Sequence, residues 1–269
     1  MPSDSLGFVL ELNELVELTA DPERFARFRK ELDQLAVARI VLGKLASEAA
    51  VTALAGALGE PEPAHTYGAD APGVGEARII GDFSAPARVD DGRPRQRAFI
   101  ESLHVDVLPG GWASHGILAT RHVPAAEPMR WVDMRAVYRS LPADTQRFLQ
   151  GLRGVQLGRA TRAKPRPDAF EQPLIALHPH THEPMLLLPD RVRGSIVGCP
   201  PDESRALIAG LWRTVDAAPG LDLALRDGEL YVWDNLTTVH TNPAFPRAND
   251  RSIWFLNTRC TDQLRRAAH

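Results

Sequence analysis

The chain has 269 residues, 44% hydrophobic and 24% charged, with a formal net charge of −3, which is the balance of a globular protein and gives no reason to expect nucleic acid or a membrane surface as partner. The opening residues MPSDSLGFVLELNEL lack a basic region followed by an apolar core, and no apolar run reaches bilayer length, so the protein reads as cytoplasmic. Cys199 and Cys260 lie in no C-x-x-C spacing, which argues against a zinc ribbon or redox pair and for two reduced thiols.

In chain order, FVLEL at residues 8–12 reads as a short opening strand. A helix is expected from Asp21: the aspartate can cap it, Pro22 suits the first helical position, and Glu23 sits in the first turn. Phe25, Phe28, Leu32 and Leu35 recur at helical spacing and should face the core. VARIVL at 37–42 is a buried-strand candidate, and 45–58 a second helix ended by Gly59. Residues 59–76 are rich in Pro and Gly and are expected to be irregular. Long loops are often functional, so His65 and Tyr67 are candidates to line a pocket, with a plain solvated loop as the other account. Strands are expected at 77–81 and 98–107, and at 117–123 after a flexible lead, LPGGWASHG.

Two short helices are expected over 133–141 and 143–151. GRATRAKPRPDAFEQP is basic and Pro-bearing and reads as an irregular excursion, either a solvated loop or an attractor for an anionic substrate. Residues 174–178 and HPHTHEPMLLLP read as strand, turn, strand, and their histidines His178, His180 and His182 raise a metal hypothesis. A helix over 202–216 has Asp202 as its expected N-cap and Ala206, Leu207, Ala209, Gly210 and Leu211 as an apolar stripe. Asp227-Gly228 marks a tight turn between two strands. The second of these ends in Trp233-Asp234-Asn235. A final strand opens at Arg251, and the tail from Asp262 is expected to fray.

The chemistry concentrates in two stretches, SLHVD at 102–106 and YVWDNLTTVH at 231–240. On a strand, residues i and i+2 share a face, so His104 and Asp106 converge on one point while Val105 turns away. If His240 folds back onto that point, two imidazoles and a carboxylate form a facial triad of the non-haem Fe(II) kind, with open positions opposite the protein ligands. Arg251 follows His240 by eleven residues. It shares a strand face with Ile253, Phe255 and Asn257, and an arginine there can hold a carboxylate through two parallel hydrogen bonds.

In order and spacing, His104, Asp106, His240 and Arg251 resemble the TauD/TfdA-like Fe(II)- and 2-oxoglutarate-dependent oxygenases. The resemblance implies that His104, Asp106 and His240 bind Fe(II), that Arg251 holds the far carboxylate of 2-oxoglutarate, and that O2 is the second co-substrate. The implied fold is α+β, mainly β: a double-stranded β-helix (a cupin-like jelly roll) with flanking helices. One domain is expected over 1–269, its helical part at about 21–59 and its β-core at about 77–260. The implied reaction oxidises, most simply hydroxylates, a small organic molecule with release of succinate and CO2, as in a tailoring step of secondary metabolism.

Asp106 argues against halogenation, because halogenating relatives lack that carboxylate. The resemblance also makes the His178 segment a turn, HP-x-T-G in relatives, with His182 at their Gly. Two departures stand out. Met129 fills the position of a Thr that helps bind 2-oxoglutarate, and a thioether cannot donate that hydrogen bond, so either another group such as Thr120 or a water supplies it, or affinity for the co-substrate is lower. Phe255 stands where sulfonate-oxidising relatives carry a second Arg, so a taurine-like sulfonate is not expected. Two competing readings remain: a cupin-like metal-dependent hydrolase or isomerase without 2-oxoglutarate, and a non-catalytic small-molecule binding protein on the same fold. A homo-oligomer is left open.

Overall fold

One large sheet with an apolar surface on both sides organises the molecule. The computed structural model describes residues 6–62, 78–79, 103–108, 111–122, 128–157, 168–241, 252–261 and 264–266. The first half contains β1 (Phe8–Leu12), α1 (Val16–Ala20), α2 (Pro22–Leu35), β2 (Val37–Leu42), α3 (Glu48–Leu58), β3 (Glu60–Glu62), β4 (Arg78–Ile79), β5 (Val107–Leu108) and β6 (Gly111–His122). Then come β7 (Met129–Asp133), α4 (Met134–Ser140), α5 (Ala143–Gln150), β8 (Arg153–Leu157), β9 (Ala169–Pro173), β10 (Ile175–Leu177), β11 (Pro184–Leu186) and β12 (Ser195–Ile196). The last are α6 (Pro201–Ala217), β13 (Leu221–Leu223), β14 (Leu230–Asp234), β15 (Thr238–His240), β16 (Ser252–Arg259) and β17 (Arg265–Arg266).

The large sheet has eight strands in the path β1-β2-β14-β6-β16-β3, with β4 on β16 and β5 on β6. Three smaller sheets have the orders β11-β10-β17, β12-β8-β9 and β13-β7-β15. Only the β1–β2 pair of the main path is parallel; β2–β14, β14–β6 and β6–β16 are antiparallel. No described helix is long and apolar enough to cross a membrane.

Period-two alternation divides the central strands between two layers. Ala38, Ile40, Ile117, Ala119, Leu230, Val232 and Leu256 face the helices, where Leu18, Phe28, Leu32, Val51 and Leu54 cover them. Val37, Leu118, Tyr231 and Trp233 face the other way and pack on Met129 and Trp131 of β7. The β7 sheet is therefore a second layer over the inner face. α4 and α6 pack on a separate core that includes Val132, Leu174, Ile208, Trp212 and Val239.

The N-terminal half follows its sequence signals closely. α2 starts where expected because the Asp21 carboxylate accepts from the backbone N–H groups of Glu23 and Arg24. Phe28 and Leu32 are buried, with Phe25 packed against the same cluster. α3 begins at Glu48 rather than 45, because the Ser47 hydroxyl caps it by accepting from Ala50 N at 3.2 Å. Residues 60–62, expected to be irregular, instead form β3 against β16. As the outermost strand of the path, β3 tolerates Pro61, whose missing N–H costs a central strand much more.

Further differences arise where pairing partners are distant in sequence. The lead before residue 117 is the start of β6, in a hairpin with β5 that pairs Val107 with Trp112. Ala169–Pro173 is a strand, β9, against β8, which the sequence reading did not find. The tail is held at 265–266 by β10. Helix α6 opens at Pro201, and its buried stripe is Ser204, Ile208, Leu211, Trp212 and Val215, while Ala206 and Ala209 face solvent. The Asp227-Gly228 turn is present, with Gly228 at φ 76°, but it joins strands of two different sheets.

Gly116 is required by packing. The Trp233 indole lies directly over its Cα, and a Cβ there would meet ring atoms Cε2 and Cζ2. Gly116→Ala is expected to cost about 3 kcal/mol, at the upper end of overpacking penalties, measured as a shift of the urea midpoint at constant m. A cost under about 1 kcal/mol would mean that the indole can move aside easily.

On the helix-facing side, burial pushes the His115 imidazole down to about 4, against an opposing pull from Asp234. The unfolded chain then binds a proton near 6.5 that the folded chain refuses, so this stability is present above pH 6.5 and is lost as pH falls toward the folded value. Between pH 7 and pH 5 the contribution is about 2 kcal/mol. Denaturation curves at the two pH values should show the native protein losing more stability than His115→Asn, by about that amount.

Candidate metal centre

The site is built by a strand end, a turn and a two-way main-chain bridge. His104 N donates to His240 O at 2.9 Å, and His240 N donates to His104 O at 2.8 Å. This isolated antiparallel pair puts the two side chains on one side, and their ring centroids are 4.6 Å apart. Asp106 lies two residues along from His104, with Oδ2 3.6 Å from His240 Nε2. Ligand atoms of His104, Asp106 and His240 all lie within 4.8 Å of one another. His104 and Asp106 share a face as the i, i+2 argument requires, although the ladder there is a single bridge rather than a continuous strand.

The surroundings of His240 are unusual for an imidazole. Its side chain is 0% exposed, and neither ring nitrogen has a hydrogen-bond partner among the described residues. Buried polar nitrogens normally find a partner, and leaving one without costs about 1–3 kcal/mol. Burial first, and the nearby His104 second, hold the His240 pKa well below the ordinary histidine value. The ring is thus neutral, as a metal ligand must be. Two imidazoles and one carboxylate are also a donor set for a divalent first-row metal. Residues and group fit each other.

The turn between β14 and β15 sets the position of His240. Asp234 Oδ1 accepts from Leu236 N at 2.8 Å and Thr237 N at 3.3 Å, and Thr238 Oγ1 donates to Asp234 O at 2.7 Å. Trp233 precedes the turn, and its indole lies 4.8 Å from the His240 ring, with Trp131 and Phe255 around it. Asn235 bonds to the Asp106 main chain. Sequence reasoning missed Gly116, Trp131 and Asn235 as parts of the site, because their roles come from contacts between strands far apart in the chain.

The other expected residues fare differently. Arg251, His65 and Tyr67 lie outside the described residues. Thr120 is buried on β6, where its hydroxyl contacts the carbonyls of Arg226 and Glu229 and accepts from Glu229 N at 3.1 Å. Its single proton is committed inside the fold, so it has none to give a co-substrate. The resulting knot holds the start of β14 together with the Arg39–Glu229 pair, in which Arg39 Nε lies 2.8 Å from Glu229 Oε2. Met129 is buried in the inner layer, and Phe255 stacks on Trp233 at 5.9 Å.

Asp33, His178 and His180 form a second group with ligand atoms within 4.8 Å of one another. It lines a surface cavity with Arg29, His115 and Asp234, on the helix side of the sheet. His178 Nδ1 accepts from Thr181 N at 3.1 Å, so its proton sits on Nε2, 2.9 Å from Asp234 Oδ2. Burial alone would raise the Asp234 pKa, but His178 outweighs it and holds the carboxyl well below the usual range. A metal at His178 would have to displace that proton. This group is a satisfied polar brace, in line with the turn reading. His182 has φ 58°, the left-handed region that glycine adopts without strain.

Comparison with known proteins accords with this arrangement. A curated relative, pentalenolactone F synthase of Streptomyces arenae, is 29% identical over 205 residues, which cover 66% of this chain. The matched part spans 61% of the length of that relative. A taurine dioxygenase structure from Burkholderia xenovorans superposes with a TM-score of 0.77 at 25% identity, covering 96% of this chain and 87% of the other. The structure of AAD-2 in complex with Mn(II) and N-oxalylglycine has a TM-score of 0.73 at 17% identity, covering 97% and 96%, a likeness of fold. The model of the taurine catabolism dioxygenase TauD, TfdA family matches residues 9–258, and the chain belongs to that family.

Proposed function

We propose that the protein is a non-haem Fe(II)- and 2-oxoglutarate-dependent dioxygenase that oxidises, most simply hydroxylates, a small organic molecule. The observation that carries this reading is the convergence of His104, Asp106 and His240, with both His240 nitrogens buried and lacking hydrogen-bond partners among the described residues. The layered sheets then form one distorted double-stranded β-helix, with the metal between strand ends, and the chain acts as a single domain. Bound Fe(II) would supply the redox chemistry that couples O2 and 2-oxoglutarate to substrate oxidation, yielding succinate and CO2.

The protein's own groups have separable tasks. His104 and His240 would each contribute an imidazole nitrogen and Asp106 a carboxylate oxygen, a donor set that leaves room for small-molecule ligands. Arg251 is assigned the far carboxylate of 2-oxoglutarate, which its fork can hold bidentately. Met129 brings no donor to help it, and Thr120 has none to spare, which leaves a water to supply that hydrogen bond or a lower affinity for the co-substrate. Phe255 stacks on the Trp233 ring that packs against His240, and it offers no cation at the place where the resemblance puts a second Arg in sulfonate-oxidising relatives. That supports a substrate without a sulfonate, and the likeness to pentalenolactone F synthase supports a tailoring step in secondary metabolism.

Purified protein supplied with Fe(II), 2-oxoglutarate and air should form succinate. His240→Ala should lower that rate at least about 100-fold, the upper end of what ligand-shell losses cost. A chain that binds Fe(II) yet leaves 2-oxoglutarate unconsumed would favour a hydrolase or isomerase instead. Arg251→Ala should raise the KM for 2-oxoglutarate about 10- to 100-fold, the equivalent of a lost charge-assisted pair. An unchanged KM would remove Arg251 from the co-substrate site.

A further inference from the structure

We infer that Asn235 is a positioning residue for the metal centre: its carboxamide clamps the Asp106 main chain from both sides and thereby sets the reach of the Asp106 carboxylate toward His104 and His240. The inference rests on the triad reading above and adds a residue to it. Asn235 is completely buried. Its Oδ1 accepts from Asp106 N at 3.0 Å, while its Nδ2 donates to Asp106 O at 2.9 Å and to Ala113 O at 2.9 Å. Its own N–H donates to Ser114 O at 2.9 Å. Both side-chain donors and the acceptor are therefore used, and the amide can lie only one way round.

The clamp adds to what the backbone supplies at Asp106. His104 is fixed by its bridge to His240, and Asp106 lies between that bridge and β5, where its carbonyl also accepts from Ala113 N at 3.5 Å. Asn235 adds a second, side-chain hold on both the N–H and the carbonyl of Asp106. It is anchored in turn by its neighbour Asp234, which closes the turn and meets His178 at 2.9 Å on the far side of the sheet. One turn thus fixes all three candidate ligands: His240 directly, His104 through the bridge, and Asp106 through Asn235.

The test is Mn(II) binding to the full chain, followed by the electron paramagnetic resonance signal of the free ion. Asn235→Ala should bind Mn(II) about 10- to 100-fold more weakly than the native protein, as the loss of a group that orients a ligand does. Leu54→Ala, in the helix-side core, serves as a control: it should lower the melting temperature and leave Mn(II) affinity within about two-fold, since it touches no part of the network. Hydrogen exchange gives a metal-free readout, in which the Asp106 amide should exchange faster in Asn235→Ala.

If Asn235→Ala does not fold, Asn235→Asp keeps the acceptor for Asp106 N and sets a carboxylate oxygen against two carbonyls; it should show the same loss. Native-like Mn(II) affinity in a folded Asn235 variant overturns the inference and leaves the triad standing. An affinity loss equal to that of the Leu54→Ala control overturns it as well. Failure of the native chain to bind Mn(II) overturns the triad reading, and this inference with it.

Discussion

The pair of main-chain hydrogen bonds between His104 and His240 is the constraint on which the site depends. These residues are separated by most of the β-core; His240 closes β15, and His104 lies outside any named strand. Two bonds of 2.9 and 2.8 Å bring their backbones into register. In an antiparallel pair, side chains directly opposite one another project to the same side, so the bridge alone brings both rings together. Asp106 then joins because it is two residues from His104. The site is thus defined by main-chain geometry first, and the side chains inherit it.

That geometry is held by a sheet whose two faces do different work. The helix-facing side is aliphatic and is covered by α1, α2 and α3. The inner face is aromatic, with Tyr231 and Trp233 packed against Trp131 of β7. Rigid rings with few rotamers suit a layer that must hold a ligand ring at a fixed distance. Trp233 can lie flat against the sheet only because Gly116, opposite it on β6, carries no side chain. Ring, glycine and histidine form one packing unit beside the candidate metal centre.

Much of this was legible in the sequence, for identifiable reasons. The capped start of α2, the strand VARIVL and the turn at Gly228 are local features, set by residues within a turn of each other. The convergence of His104 and Asp106 followed from period-two geometry, and the place of His240 from the resemblance to the TauD/TfdA-like family. What escaped was non-local. Glu60–Glu62 becomes a strand only because β16 offers an edge to it, and β8 and β9 stabilise one another across a segment that looked like a loop. Helix α6 misled because several of its apolar residues are small and exposed, whereas the side chains that bury are Ile208, Trp212 and Val215. Asn235 was visible as part of a motif, but its partners Asp106 and Ala113 could not be read from the chain.

The two histidine–aspartate groups of this protein show how such clusters are told apart. By proximity they are alike, since each brings ligand atoms within 4.8 Å. They differ in how their protons and lone pairs are accounted for. At His178 one nitrogen accepts from Thr181 N and the other meets the Asp234 carboxylate, so the ring's capacity is full and a cation would have to break bonds to enter. At His240 neither nitrogen makes a hydrogen bond within the described residues, although the ring is wholly buried. One buried imidazole is thus a brace held by hydrogen bonds at both nitrogens, and the other keeps both nitrogens within reach of the candidate ligands His104 and Asp106. The sheet keeps them apart: Asp234 and Trp233 are adjacent in sequence and point to opposite faces. One dipeptide therefore serves the brace on the helix side and the candidate metal centre on the other.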